Sequence, residues 1–180
     1  MNELATFAGG CFWCTEAIFQ RLKGVEKVQS GYTGGNIEYP TYDQVSMGNT
    51  NHAEAIQITY NPDIISFEKL VQIFFHTHNP TTLNRQGADH GTQYRSAIFY
   101  HDEKQRKIAE KIKSDLEKSK TFKNPIVTKL EGYTKFYEAE PSHQRYYERN
   151  KDYPYCTVVI DPKIKKLLKE FKKEVKEEFI

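Results

Sequence analysis

The sequence predicts an α/β or α+β domain, and three observations lead there. Segments in which apolar and polar residues alternate are interleaved with segments whose apolar residues recur every three to four positions. Turn residues punctuate the chain at Gly9-Gly10, Gly24, Asn61-Pro62, Asn79-Pro80 and Asp161-Pro162. The 180 residues are 38 % hydrophobic and 28 % charged, a globular balance, and that length buries a sizeable core within one domain, 1–180.

Leu4 to Ala8 predicts a short strand, ended by Gly9-Gly10. A helix follows from about Phe12 to Lys23, with Ile18, Phe19 and Leu22 as its inner stripe and Gly24 as its stop. Val25 to Tyr32 reads as a strand. Residues 34–51 are the longest stretch without a regular pattern, and a loop of that length in a compact domain is usually functional. Residues 53–60 alternate cleanly, with Ile56, Ile58 and Tyr60 on one face. Ser66 caps a helix holding Phe67, Leu70, Val71 and Phe74, which ends before Asn79-Pro80. Beyond a polar loop, Tyr94 to Tyr100 is strand-like, Ile108, Ile112 and Leu116 mark a helix, and Ile126 to Leu130 mark another strand. Ser142 opens a short aromatic helix. Thr157 to Ile160 reads as a strand, and Asp161-Pro162 starts a last helix with Ile164, Leu167, Leu168, Phe171 and Val175 inward.

Twenty-six basic against 24 acidic residues leave a net charge of +2, too weak a field to draw in nucleic acid or an anionic membrane. The late lysines, Lys163 to Lys176, alternate with glutamates as on a solvated helix face. No apolar run is long enough to span a bilayer, and the N-terminus has no basic region followed by an apolar one. A cytoplasmic, reducing location is the expectation, and there three cysteines rarely form a structural framework.

Two of those cysteines stand in Gly9-Gly10-Cys11-Phe12-Trp13-Cys14, where a strand turns into a helix. Unpaired backbone N–H groups and the helix dipole favour negative charge at such a place, so a lowered thiol pKa is expected for Cys11. Cys14, at i+3, shares its helix face at a Cα separation of about 5 Å, inside the window for a disulfide. Buried small residues and a zinc knuckle are the bland readings. Zinc needs two further ligands, and neither the solitary Cys156 nor His52, His76, His78, His90, His101 and His143 make a set, so no metal is expected. The pair equally suits a general thiol–disulfide oxidoreductase. Phe12 and Trp13 are core residues or the walls of an apolar slot beside the sulfur.

Glu54 is the second unusual residue. It shares strand parity with Ile56, Ile58 and Tyr60, which aims it at the buried side. Burial raises a carboxyl pKa, and a carboxylic acid kept protonated near neutral pH serves as a general acid. At the exposed first position of its strand it would instead be hydrated and idle.

Together, Gly10-Cys11-Phe12-Trp13, Gly31-Tyr32-Thr33-Gly34-Gly35, Pro40-Thr41-Tyr42, His52-Ala53-Glu54 and Asp89-His90-Gly91-Thr92-Gln93-Tyr94-Arg95 resemble the peptide methionine sulfoxide reductase A family, in its order and at similar spacings. Tyr137 to Glu140, Ser142-His143-Gln144 and Tyr155-Cys156 extend the match. It covers 1–156 and leaves 157–180, the strand and the lysine-rich helix, as a variable tail. The resemblance implies a two-layer α/β sandwich with a ferredoxin-like core, its mixed sheet packed against helices. It also implies reduction of methionine (S)-sulfoxide, free or in proteins, by a monomer with no bound cofactor. On this reading Cys11 attacks the sulfoxide sulfur, Glu54 protonates the departing oxygen, and Tyr42 and Tyr94 hydrogen-bond it. Phe12 and Trp13 hold the substrate methyl group, with Asp89 as a polar neighbour. Cys11 is left as a sulfenic acid that a second thiol condenses to a disulfide, and thioredoxin restores the thiols. Two features depart from the commonest pattern: Cys14 replaces a glycine, and an ordered Thr157-Val158-Val159-Ile160 replaces a glycine-rich segment after Cys156. Both Cys14 and Cys156 therefore stand as resolving candidates, and the two could act in sequence.

Overall fold

The computed structural model describes residues 1–180. Six strands, β1 (Glu3–Gly9), β2 (Val25–Thr33), β3 (Ala53–Tyr60), β6 (Ser96–Tyr100), β7 (Lys129–Gly132) and β8 (Phe136–Glu138), form a sheet in the order β7-β6-β1-β3-β2-β8. The remaining two, β4 (Arg85–Gln86) and β5 (Asp89–His90), pair only with each other. All pairs in the large sheet are antiparallel except β6 with β7, so the sheet is mixed. Its middle four strands, with helices α1 (Phe12–Phe19) and α3 (Phe67–His76) as crossovers, make the β-α-β-β-α-β pattern of a ferredoxin-like core.

Register puts Phe7 opposite both Ile56 and Ile98, and Ala5 opposite Ile58, on one face. That face meets Phe19 of α1, Phe67 and Phe74 of α3, and Ala109 and Ile112 of α4 (Glu103–Lys118) in a single buried core. Phe7 lies at its centre, with ring centroids 5.5 Å from Phe19 and 5.0 Å from Phe74. Truncating it to alanine is expected to cost about 3–5 kcal/mol. The opposite face is small: Ala8, Ala53, Ala55 and Ala97 sit with Phe99 under Tyr133 and Phe136.

The structure redraws several sequence expectations. Helix α1 ends at Phe19, short of Lys23, because the last residues capture the segment behind it: Leu22 bridges Val175, Lys23 N–H donates to Glu174 O at 2.7 Å, and Lys176 N–H donates to Arg21 O at 2.8 Å. The final 24 residues are thus docked, although the resemblance marked them as a variable tail. Within the long loop lies a short helix, α2 (Tyr42–Ser46), started by a capping box in which Thr41 and Gln44 exchange side-chain and backbone bonds. Tyr94 belongs to a 3₁₀ turn, Thr92–Tyr94, before β6. The aromatic helix α5 (Tyr146–Arg149) begins after Arg145, a left-handed residue with φ of 52°.

The strand expected at Thr157 to Ile160 is helical. Cys156–Ile160 forms a wide π turn that runs into α6 (Asp161–Phe171). Its β-branched residues suggested a strand, but no sheet edge reaches them. Thr157 and Val158 face solvent, while Cys156 and Ile160, four apart, turn inward together. The Thr157 hydroxyl bonds back to Pro154 O, which suits a helical turn.

Candidate active site

Cys11 is the residue before the first turn of α1, delivered by Gly10, whose φ of 91° would be strained in any side-chain-bearing residue. The thiol is 7 % exposed, and Cys14 and Cys156 are buried beside it in one cluster with Ala17, Tyr147 and Ile160. All three cysteines are free. The chain therefore brings together the nucleophile candidate and both resolving candidates, 142 residues apart in sequence between Cys14 and Cys156.

The expectation that the helix start lowers the Cys11 thiol is overturned. Burial, the hydrogen bond to Cys14 and the Glu54 charge push Cys11 well above its usual value. No backbone N–H caps its sulfur. Instead the hydrogen bond with Cys11 brings the Cys14 thiol down to about 7, helped further by the Lys163 charge. Burial raises the Cys156 thiol. When the pair loses a proton, Cys14 is the thiol favoured to carry the charge.

Glu54 lies on β3 opposite Tyr32 of β2 and is 2 % exposed, on the buried side that strand parity requires. Its Oε1 accepts from Phe12 N–H at 3.2 Å, which ties the carboxyl to the first turn of α1. Burial raises its pKa to about 8, against the pull of that hydrogen bond, so it is protonated at neutral pH. Once protonated it also ceases to oppose ionisation of Cys11.

Tyr42, the first residue of α2, and Tyr94 are partly buried, and both feel the Glu54 and Cys11 charges. Burial first, then those charges, raises each phenol, so both are neutral donors. The backbone N–H of Tyr42 donates to Glu140 Oε2 and the Tyr32 hydroxyl to Glu140 Oε1, each at 3.0 Å. Glu140 thereby pins α2 to the sheet. His52, buried, pins the rest of the long loop: one ring nitrogen accepts from Gly35 N–H at 3.1 Å and the other meets Ile37 O at 2.7 Å.

The two aromatic residues after Cys11 divide. Phe12 is fully buried, its ring stacked 6.5 Å from Tyr42. Trp13 is half-buried and lies flat on Tyr146 of α5, with centroids 3.7 Å apart and 6° between planes. Its indole N–H donates to His143 Nδ1 at 3.1 Å. Burial lowers the His143 pKa, which keeps that ring neutral and able to accept.

Asp89, on β5, accepts from the Tyr155 hydroxyl at 2.8 Å, and that hydroxyl stands 3.6 Å from Cys14 Sγ. Sequence reasoning gave Tyr155 no role of its own, and also passed over Tyr146. Nothing in their spacing signals that they meet Trp13 and Cys14. Glu16 is a further surprise: buried on α1, it accepts from Arg145 N–H at 2.7 Å, and burial raises it to about 7. It holds the start of α5, and with it the Tyr146 ring on Trp13.

A proton-sharing thiol pair, a third thiol in reach and a protonated carboxyl at the same helix start define a cysteine-based oxidoreductase. Comparison with known proteins narrows the class. The family model for peptide methionine sulfoxide reductase matches residues 3–176. Peptide methionine sulfoxide reductase MsrA of Sulfolobus acidocaldarius is 52 % identical over 169 residues, 94 % of this chain and 95 % of that protein. Among solved structures, reduced Mxr1 from Saccharomyces cerevisiae superposes with a TM-score of 0.81 at 36 % identity, covering 86 % of this chain and 89 % of that one. The same yeast protein in complex with Trx2 gives 0.58 at 28 % identity, over 81 % and 84 %. The chain belongs to the peptide methionine sulfoxide reductase family.

Proposed function

We propose that Cys11 performs nucleophilic attack on the sulfoxide sulfur in this chain, which is a thiol-dependent reductase of methionine sulfoxide recycled by thioredoxin. The observation that carries the assignment is Glu54, buried and protonated one hydrogen bond away from the turn that presents Cys11. Cys11 transfers its proton to the Cys14 thiolate and attacks sulfur. Glu54 protonates the sulfoxide oxygen, and the Tyr42 and Tyr94 hydroxyls stabilise the charge that grows there. The oxygen passes to Cys11 as a sulfenic acid and methionine departs. Trp13, held by Tyr146 and His143, offers its free edge to the S-methyl group, with Phe12 as the support behind it and Asp89 at the polar side.

Cys14 then attacks the Cys11 sulfenic sulfur and water leaves, because its thiol ionises nearest neutral pH and it is already the hydrogen-bond partner of Cys11. Cys156, the less acidic thiol, exchanges next onto Cys14 and frees Cys11. On this reading residues 1–180 work as one catalytic unit, a monomer with no bound cofactor in the reducing cytoplasm. No helix of the chain is long and apolar enough to cross a membrane.

Acid-quenched single turnover with methionine (S)-sulfoxide, followed by peptide mapping, tests the order. A Cys11–Cys14 disulfide is expected first and a Cys14–Cys156 disulfide later. A Cys11–Cys156 disulfide formed at the earliest times would remove Cys14 as the resolver.

A further inference from the structure

The turn that carries Cys11 has a second side. A Cβ on Gly10 would stand 2.6 Å from Gln86 Cγ, and one on Gly9 would touch the His78 ring at 3.4 Å. His78 and Gln86 are also walls of an open cleft of about 430 Å³. Its other polar groups include Lys123, Lys163 and Lys166, with Asn79 and Asn124 between them, and no aspartate or glutamate lines it. None of the three lysines belongs to an ion pair of the molecule.

Nothing inside the cleft answers those charges. The His78 ring is committed, one nitrogen to Phe74 O and the other to Ser96 Oγ at 2.7 Å. Burial first, and then the charges of Lys163 and Lys166, lower it to about 3, so it is uncharged. The same Lys163 charge reaches Cys14. A positive field that no carboxylate of the lining answers thus fills a concave site that backs on the two glycines before the nucleophile.

We infer that this cleft binds a carboxylate of the substrate: an acidic side chain next to the methionine sulfoxide in a peptide, or the α-carboxylate of the free amino acid. The inference rests on the reductase reading above and adds a substrate preference to it. A residue one or two positions from the sulfoxide lies roughly 3–7 Å along an extended chain, and a glutamate side chain extends that reach. Two or three contacts from exposed or half-exposed lysines together are worth roughly a three- to tenfold gain in binding, and salt weakens it.

The test compares blocked peptides that differ only in carrying Glu or Gln beside the sulfoxide, and N-acetyl methionine sulfoxide with its amide. At low salt the wild-type chain is expected to show a KM for the Glu peptide roughly three- to tenfold below that for the Gln peptide, with kcat unchanged. Paired Lys123→Ala and Lys166→Ala changes, both on exposed side chains, should erase the gap, and Lys166→Glu should invert it. The Gln peptide should turn over at the wild-type rate in every variant. A gain confined to the N-acetyl amino acid over its amide assigns the cleft to the α-carboxylate. Equal KM values within both pairs, or a gain that survives the paired alanine changes, overturn the inference. Failure to reduce the Gln peptide at all counts against the reductase reading instead. Calorimetric titration of Cys11→Ser protein with the Glu and Gln peptides then decides the cleft without turnover.

Discussion

Replacing Glu54 with glutamine should slow the chemistry and stabilise the fold at the same time. The carboxyl is raised from 4.5 to about 8 by burial. Between those values the folded chain holds a proton that the unfolded chain has released. Stability therefore falls as pH rises from 4.5 toward 8, and is insensitive to this group outside that window. At about 1.4 kcal/mol per pH unit, the burden reaches about 3 kcal/mol at pH 7. Glutamine is uncharged at every pH, and its carbonyl oxygen still accepts from Phe12 N–H where Glu54 Oε1 now does. Glu54→Gln should accordingly unfold in urea with about 3 kcal/mol more stability at pH 7 and with no difference near pH 4. Its single-turnover reduction should be about 10²- to 10⁴-fold slower, because the general acid is gone. The assays are denaturant titrations of the reduced proteins at several pH values, and rapid-quench measurement of methionine. A variant no more stable than the wild type at pH 7, or one with an unchanged single-turnover rate, would refute the buried-acid argument.

The sulfoxide step should follow a bell in pH, rising through about 7 as the Cys14 thiol ionises and falling through about 8 as Glu54 loses its proton; a rate that keeps climbing above pH 8 removes Glu54 from the step. Cys11→Ser should abolish methionine formation, and in Cys11→Ala the ultraviolet thiolate titration of Cys14 should shift upward, since Cys14 loses the donor that most lowers it. Glu16→Ala strips the acceptor from the part-buried Arg145 N–H and, measured near pH 4 where the carboxyl carries no buried charge, should cost about 1 kcal/mol. It should also raise KM more than it lowers kcat as Tyr146 loosens from Trp13, and an unchanged KM would show that α5 is held without it. Trp13→Phe keeps an aromatic face but loses the bond to His143, and a several-fold rise in KM is expected from steady-state assays.

The site was legible in the sequence wherever local periodicity decides orientation. Alternation over residues 53–60 was enough to aim Glu54 inward, and the glycine pair before Cys11 was enough to place that thiol at a helix start. Local pattern failed where a distant partner sets the outcome. The Cys11 thiol is tuned by Cys14 and Glu54, not by the dipole alone, so a rule for helix ends gave the wrong sign. Thr157-Val158-Val159 has strand chemistry, but only a free sheet edge makes a strand, and none is offered there. The capping box at Thr41 and Gln44 was a local signal overlooked within a long polar stretch. The roles of Tyr146 and Tyr155 had no signal at all, since each depends on a contact across more than 130 residues.

The docking of residues 156–176 around α1 has a mechanical consequence. Cys156 and Ile160 press on one end of that eight-residue helix, and Val175 and Lys176 are stitched to the segment leaving its other end. So short a helix is marginal in isolation, and here a later part of the chain splints it at both ends. The rigidity of the reactive thiol is therefore borrowed from sequence 145 residues downstream. A premature stop just before Asp161 leaves every proposed reacting group in the chain and removes the splint at the Val175 end, so loss of activity should precede loss of the sheet.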